Sequence, residues 1–82
     1  MSIYKYTLSR EGEIRCENNE FFLQKTPGFK GHTEKIFRAL YNQKPKTIRE
    51  ISKEVGINTR AVEGIISYNV RAEVGYILRI RL

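Results

Sequence analysis

The chain has no tryptophan, one cysteine, one histidine and two prolines in 82 residues, and all nine of its acidic residues are Glu. Each scarcity excludes something. With Cys16 alone no disulfide can close within the chain, and the thiol is expected to pack as a small apolar group. One Cys and one His cannot supply the soft ligands of a zinc site, so no metal is expected. No apolar stretch approaches the roughly 20 residues that cross a bilayer, and Met1 is not followed by a signal-peptide pattern. The expectation is a cytoplasmic protein with no membrane partner. Paired carboxylates, a nucleophile beside a base and a phosphate-cradling glycine loop are all missing. The residues therefore point to no enzyme and no cofactor.

What is present is basic and aromatic. Fifteen Lys and Arg against nine Glu give a net charge of +6, with five Tyr and four Phe in a chain that is 40% hydrophobic. That suffices for one domain, 1–82, around one modest core. The charge is uneven: residues 1–31 carry +1 and residues 32–82 carry +5. A basic half is what a polyanion-binding surface requires.

The most informative stretch is Thr47 to Ser67 (TIREISKEVGINTRAVEGIIS). Thr47 and Glu50 fit a capping box at a helix start. Ile48, Ile51 and Val55 then recur at helical spacing, and Gly56 stops the helix where a left-handed residue is cheap. Ile57 stays apolar, Asn58 or Thr59 caps a second helix, and Val62, Ile65 and Ile66 give that helix a buried side. Two short amphipathic helices on such a hinge form a helix-turn-helix, whose second helix can lie in a DNA major groove. The pattern predicts helices over 47–55 and 58–69; past Ser67 the residues fit either a helix running on to Arg71 or Ala72 or a strand that already begins at Asn69-Val70-Arg71. Ser52 stands where a small Ala is usual, and its hydroxyl can bond a carbonyl in the preceding turn.

Around this pair, Ile3 to Leu8 alternates and reads as a strand, Ser9 to Gly12 has turn chemistry, and Ile14 to Glu17 reads as a return strand. Phe21 to Lys25 reads as a third strand, so that 1–25 forms an antiparallel meander. A loop over Thr26 to Gly31 leads to a first helix over 33–43, with Ile36, Phe37, Leu40 and Tyr41 on one stripe. Segment 75–82 alternates again. Its wholly apolar side, Tyr76, Leu78, Ile80 and Leu82, is expected inward, leaving Arg79 and Arg81 outward. The expected class is α+β: a winged helix-turn-helix with an N-terminal meander, three helices and a C-terminal wing strand.

The whole order resembles the DNA-binding effector domain of OmpR/PhoB-type response regulators. The resemblance is carried by Gly12, by the loop-to-helix start from Thr26 to Glu34, by Arg60-Ala61-Val62-Glu63, and by Val70-Arg71 with Gly75-Tyr76. It implies a recognition helix in the major groove and a wing against the backbone or minor groove. The 82 residues hold no receiver domain, one N-terminal strand fewer, and almost no loop between recognition helix and wing, so regulation by phosphorylation is not implied.

The residues that would read bases are Asn58, Thr59, Arg60, Glu63, Gly64 and Ser67. Arg60 can hold guanine O6 and N7 with two bonds or clamp a phosphate, and Asn58 can pair with adenine or cap its helix. Thr59 and Ser67 suit phosphate or base-edge bonds. Glu63 could accept from cytosine or pair with Arg60, and Gly64, unfavourable mid-helix, suggests close approach to something. Lys44, Lys46, Thr47, Arg49 and Lys53 read as backbone contacts, with Arg71, Arg79 and Arg81 as further contacts near the wing. The expected partner is double-stranded DNA, contacted by a homodimer because one short helix reads few base pairs, and the protein would sit on the nucleoid as a small transcription regulator. The alternative is a winged-helix module that binds another regulatory protein.

Overall fold

Strand β1 (Tyr4–Leu8) is the first element of the domain, with Tyr6 and Leu8 buried. The chain continues as α1 (Arg10–Glu17), α2 (Lys30–Leu40), α3 (Ile48–Val55), α4 (Thr59–Val70) and β2 (Ile77–Arg81). This is a computed structural model that describes residues 3–20, 30–71, 73 and 75–81. Among these residues the fold is α+β, with four helices and one two-stranded antiparallel sheet. β1 pairs with β2 from Tyr4↔Arg81 to Leu8↔Ile77, and Lys46 bridges the other edge of β1 at Tyr6. Tyr6, Leu8 and Ile77 press on a core of Ile36, Phe37, Leu40, Ile51, Ile57, Val62, Ile65 and Ile66, joined by Cys16.

Three expectations change. The segment 10–17 is a helix, so the return strand over Ile14 to Glu17 does not exist and there is no three-stranded meander. Ser9 is its N-cap and accepts from the Gly12 N–H at 3.2 Å, with Glu11 and Glu13 in the first turn and Arg15 in the last. Those residues carry turn chemistry and helix-start chemistry equally. Packing decides between them: Gly12 and Cys16, one turn apart, are buried, and a Cβ at Gly12 would stand 2.1 Å from the Tyr76 carbonyl oxygen. Only glycine lets α1 approach the chain there, where the Ser9 N–H donates to the same Tyr76 oxygen at 3.0 Å. The expected strand over Phe21 to Lys25 lies outside the described residues.

The second change is the face of β2. Ile77 is buried, whereas Leu78 and Ile80 are 51% and 38% exposed. Opposed residues share a face, and β1 points Tyr6 and Leu8 inward. Ile77, across from Leu8, follows them; Leu78 and Ile80 stand outward beside Thr7 and Lys5. Arg79 lies on the Tyr4 side, its guanidinium 4.8 Å from that ring's centre. β2 is a lone partner of β1 among the described residues rather than half of a wing hairpin.

Helix α2 runs three residues earlier than the expected 33–43 at both ends. Asn42, in the left-handed region at φ 54°, stops it. Arg15 lies 4.5 Å over the Tyr76 ring and Tyr76 meets Phe37 edge-on, which holds α1, α2 and the segment before β2 together.

Candidate nucleic-acid interface

Local chemistry builds the α3–α4 pair as read. The Thr47 hydroxyl accepts from the Glu50 N–H at 3.1 Å, and the Glu50 carboxylate accepts from the Thr47 N–H at 2.9 Å. Those bonds, the backbone one first, hold the Glu50 carboxyl below its ordinary value of 4.5. Gly56 ends α3 at φ 72°, its N–H bonded to the Ser52 carbonyl at 3.0 Å. The Ser52 hydroxyl donates forward to the Ile57 carbonyl, tying α3 to the turn instead of bonding backward. Asn58 caps α4 by accepting from the Ala61 N–H at 2.9 Å.

Around α4, advancing about 100° per residue, the side chains divide cleanly. Val62, Ile65, Ile66 and Asn69 are buried. Arg60, Gly64, Ser67 and Arg71 fall on one line along the opposite face, flanked by Glu63, and all of them are exposed, as are Asn58 and Thr59 at the start. No atom of a neighbour lies within 4 Å of where a Gly64 Cβ would be. The close approach suspected there is thus not to α3, and the stripe has a notch at its middle. Tyr68, 45% exposed, borders this notch one turn beyond Gly64. It was not among the expected contacts because the pattern past Ser67 leaves helix and strand open; once the helix continues, its position four residues past Gly64 is the available signal. Asn69, fully buried with its amide donating to the Ile65 carbonyl at 2.7 Å, is the polar exception on the inner side.

The basic residues separate into groups. Lys46 is engaged: its ammonium reaches Glu54 at 2.6 Å and the Ala39 carbonyl at 2.8 Å, which ties α3 to the end of α2. Lys44 is exposed beside Thr7, Glu13 and Leu40, on the side of α1. Arg49 and Lys53, one turn apart on α3, are exposed and form no ion pair among the described residues. They flank the Ser52 side of α3, next to the turn into α4, while Glu54 and Val55 face α2. Arg49, Lys53, Arg60 and Arg71, none of them in an ion pair among the described residues, therefore supply four cations to the exposed surface of the pair, against the exposed Glu50 on α3 and Glu63 on α4. Arg79 and Arg81 are exposed on β2, at the end of the sheet nearest Tyr4.

This arrangement can grip a polyanion and present a polar, notched helix to it. No group of His, Cys or Glu capable of holding a metal occurs among the described residues. No helix among them is long and apolar enough to cross a membrane. No family model matches the chain, and neither a curated protein nor a solved structure matches it.

Proposed function

We propose that this chain binds double-stranded DNA sequence-specifically, inserting α4 into the major groove, as a small transcription regulator rather than an enzyme. The observation that carries the proposal is the division of α4. Its apolar side chains are spent on the core, while Arg60, Gly64, Ser67 and Arg71 form an exposed line on a helix fixed by a capped, glycine-hinged partner. The α3–α4 pair has the parts of a helix-turn-helix, and the strand after it recommends the winged variety, with β2 in place of a hairpin wing. In this reading the resemblance to OmpR/PhoB-type domains rests on this pair and the C-terminal strand alone, because α1 stands where a return strand was expected.

In this reading Arg60 holds guanine through two bonds, Ser67, Thr59 and Tyr68 contact base edges or backbone, and Glu63 rejects bases that offer it no donor. Arg49, Lys53 and Arg71 sit on phosphates and set register. Asn58, whose oxygen is committed to the cap, contributes its amide N–H groups only. The α4 stripe carries the experiment: selection of bound sites from a random duplex pool, then titration of the selected site. Arg60→Ala should weaken specific binding by about 1–3 kcal/mol and relax choice at one position. A pool that yields no preferred site, or an Arg60→Ala protein that selects the same site equally tightly, removes the proposal.

A further inference from the structure

The outer edge of β2 is fully determined by bonds elsewhere in the sheet. Tyr6 exchanges both of its backbone bonds with Lys46, the N–H at 2.7 Å and the carbonyl at 3.0 Å. Along a strand these groups alternate sides, so Lys5, Thr7 and Ser9 turn theirs toward β2. The Ser9 N–H to Tyr76 carbonyl bond agrees. In this register Tyr76, Leu78 and Ile80 are spent on β1. Ile77, Arg79 and Arg81 are left with their N–H and C=O groups on the opposite edge, which no described residue pairs.

We propose that a second copy of this chain pairs with that edge, β2 against β2, antiparallel about a two-fold axis through Arg79. A strand edge inverted on itself is self-complementary, as a two-fold dimer needs. Centring on Arg79 joins Ile77 to the partner's Arg81, Arg79 to the partner's Arg79, and Arg81 to the partner's Ile77, so every free edge group is met. Sliding the centre to Leu78 leaves Arg81 unmet. Sliding it to Ile80 leaves Ile77 unmet and sets Arg79 against Arg81 twice. In the chosen register Leu78 faces the partner's Ile80 in the narrow, non-hydrogen-bonded position, where side chains approach most closely. Both are exposed in one copy, so the pairing brings together apolar side chains that otherwise meet water.

Charge opposes this union. Each chain carries +6 and two arginines meet at the axis. Dimerisation should therefore strengthen as salt rises, opposite in sign to duplex binding, which weakens. Failure of one cannot be mistaken for failure of the other.

Sedimentation of the DNA-free protein, over a range of concentrations at low and high salt, tests the pairing. The wild-type chain should shift from monomer to dimer with concentration, and at lower concentration in high salt. Arg79→Pro removes an N–H that points outward, so the fold should persist by circular dichroism while the dimer disappears. Arg79→Thr removes the repulsion at the axis and should lower the dimer dissociation constant several-fold. Should Arg79→Pro unfold, Leu78→Lys with Ile80→Lys alters only exposed side chains and should abolish the dimer on its own. A protein that stays monomeric at every concentration and salt overturns the proposal, as does a dimer that survives Arg79→Pro or the double lysine variant.

Discussion

A methyl group added at Gly64 meets nothing within 4 Å, whereas one added at Gly12 would meet the Tyr76 carbonyl oxygen at 2.1 Å. Both glycines lie inside helices, where glycine is less favourable than alanine by about 1 kcal/mol. Gly64→Ala should therefore raise stability by about 1 kcal/mol, read as a higher melting temperature. If the notch admits the groove floor, the same variant should bind its selected site more weakly; unchanged affinity would show that the notch is unused. Gly12→Ala should destabilise by roughly 1–3 kcal/mol, because backbone on both sides must move apart. The sequence exposes the cost of Gly64 but not what it faces. It conceals Gly12 altogether, since Ser-Arg-Glu-Gly is as good a turn as a helix start until Tyr76 arrives from the far end of the chain.

Elements whose both ends are written locally are the ones that could be read in advance. The capping box and Gly56 bound α3, and the Asn58 cap bounds the start of α4, within a residue of expectation, because each signal acts over three or four positions; the far end of α4 carries no such signal. The sides of β2 could not be read that way. Its more apolar face was the natural candidate for burial, yet pairing with β1 fixed which face met the core, and pairing is not local. The α3 cap also makes a pH prediction. Bonding to Thr47 holds the Glu50 carboxyl below 4.5 in the folded protein, so its charge adds stability above that value. The contribution is lost as pH falls through the lowered folded-state value. Glu50→Gln keeps a capping side chain without the charge. It should melt below wild type at neutral pH, with the gap closing in acid below the ordinary carboxylate range. A gap that persists unchanged into acid would place the effect in packing instead of charge.

Across the molecule the charges are sorted, and the sorting decides which cations are open to a polyanion. The acidic residues Glu11, Glu13, Glu17 and Glu20 lie on or beside α1, while Glu34 pairs with Arg38 and Glu54 with Lys46. The excess of positive charge in residues 32–82 was visible in composition; which lysine is consumed internally was not, because Lys46 and Glu54 meet only once α3 folds back on the end of α2. Each phosphate neutralised adds about 0.9 to the slope of log affinity against log salt on duplex DNA. Replacing Arg49 and Lys53 together by Gln should thus flatten that slope by about 2, lower affinity for all sequences alike, and leave the preferred site unchanged. Lys46→Gln should leave the slope where it is and instead lower the melting temperature, since its ammonium bonds Glu54 and the Ala39 carbonyl rather than solvent. Fluorescence anisotropy titrations at several salt concentrations separate the two. Equal slopes for the double variant and the wild type would mean that α3 does not lie along the phosphate backbone, and α4 would then have no support for entering the groove beside it.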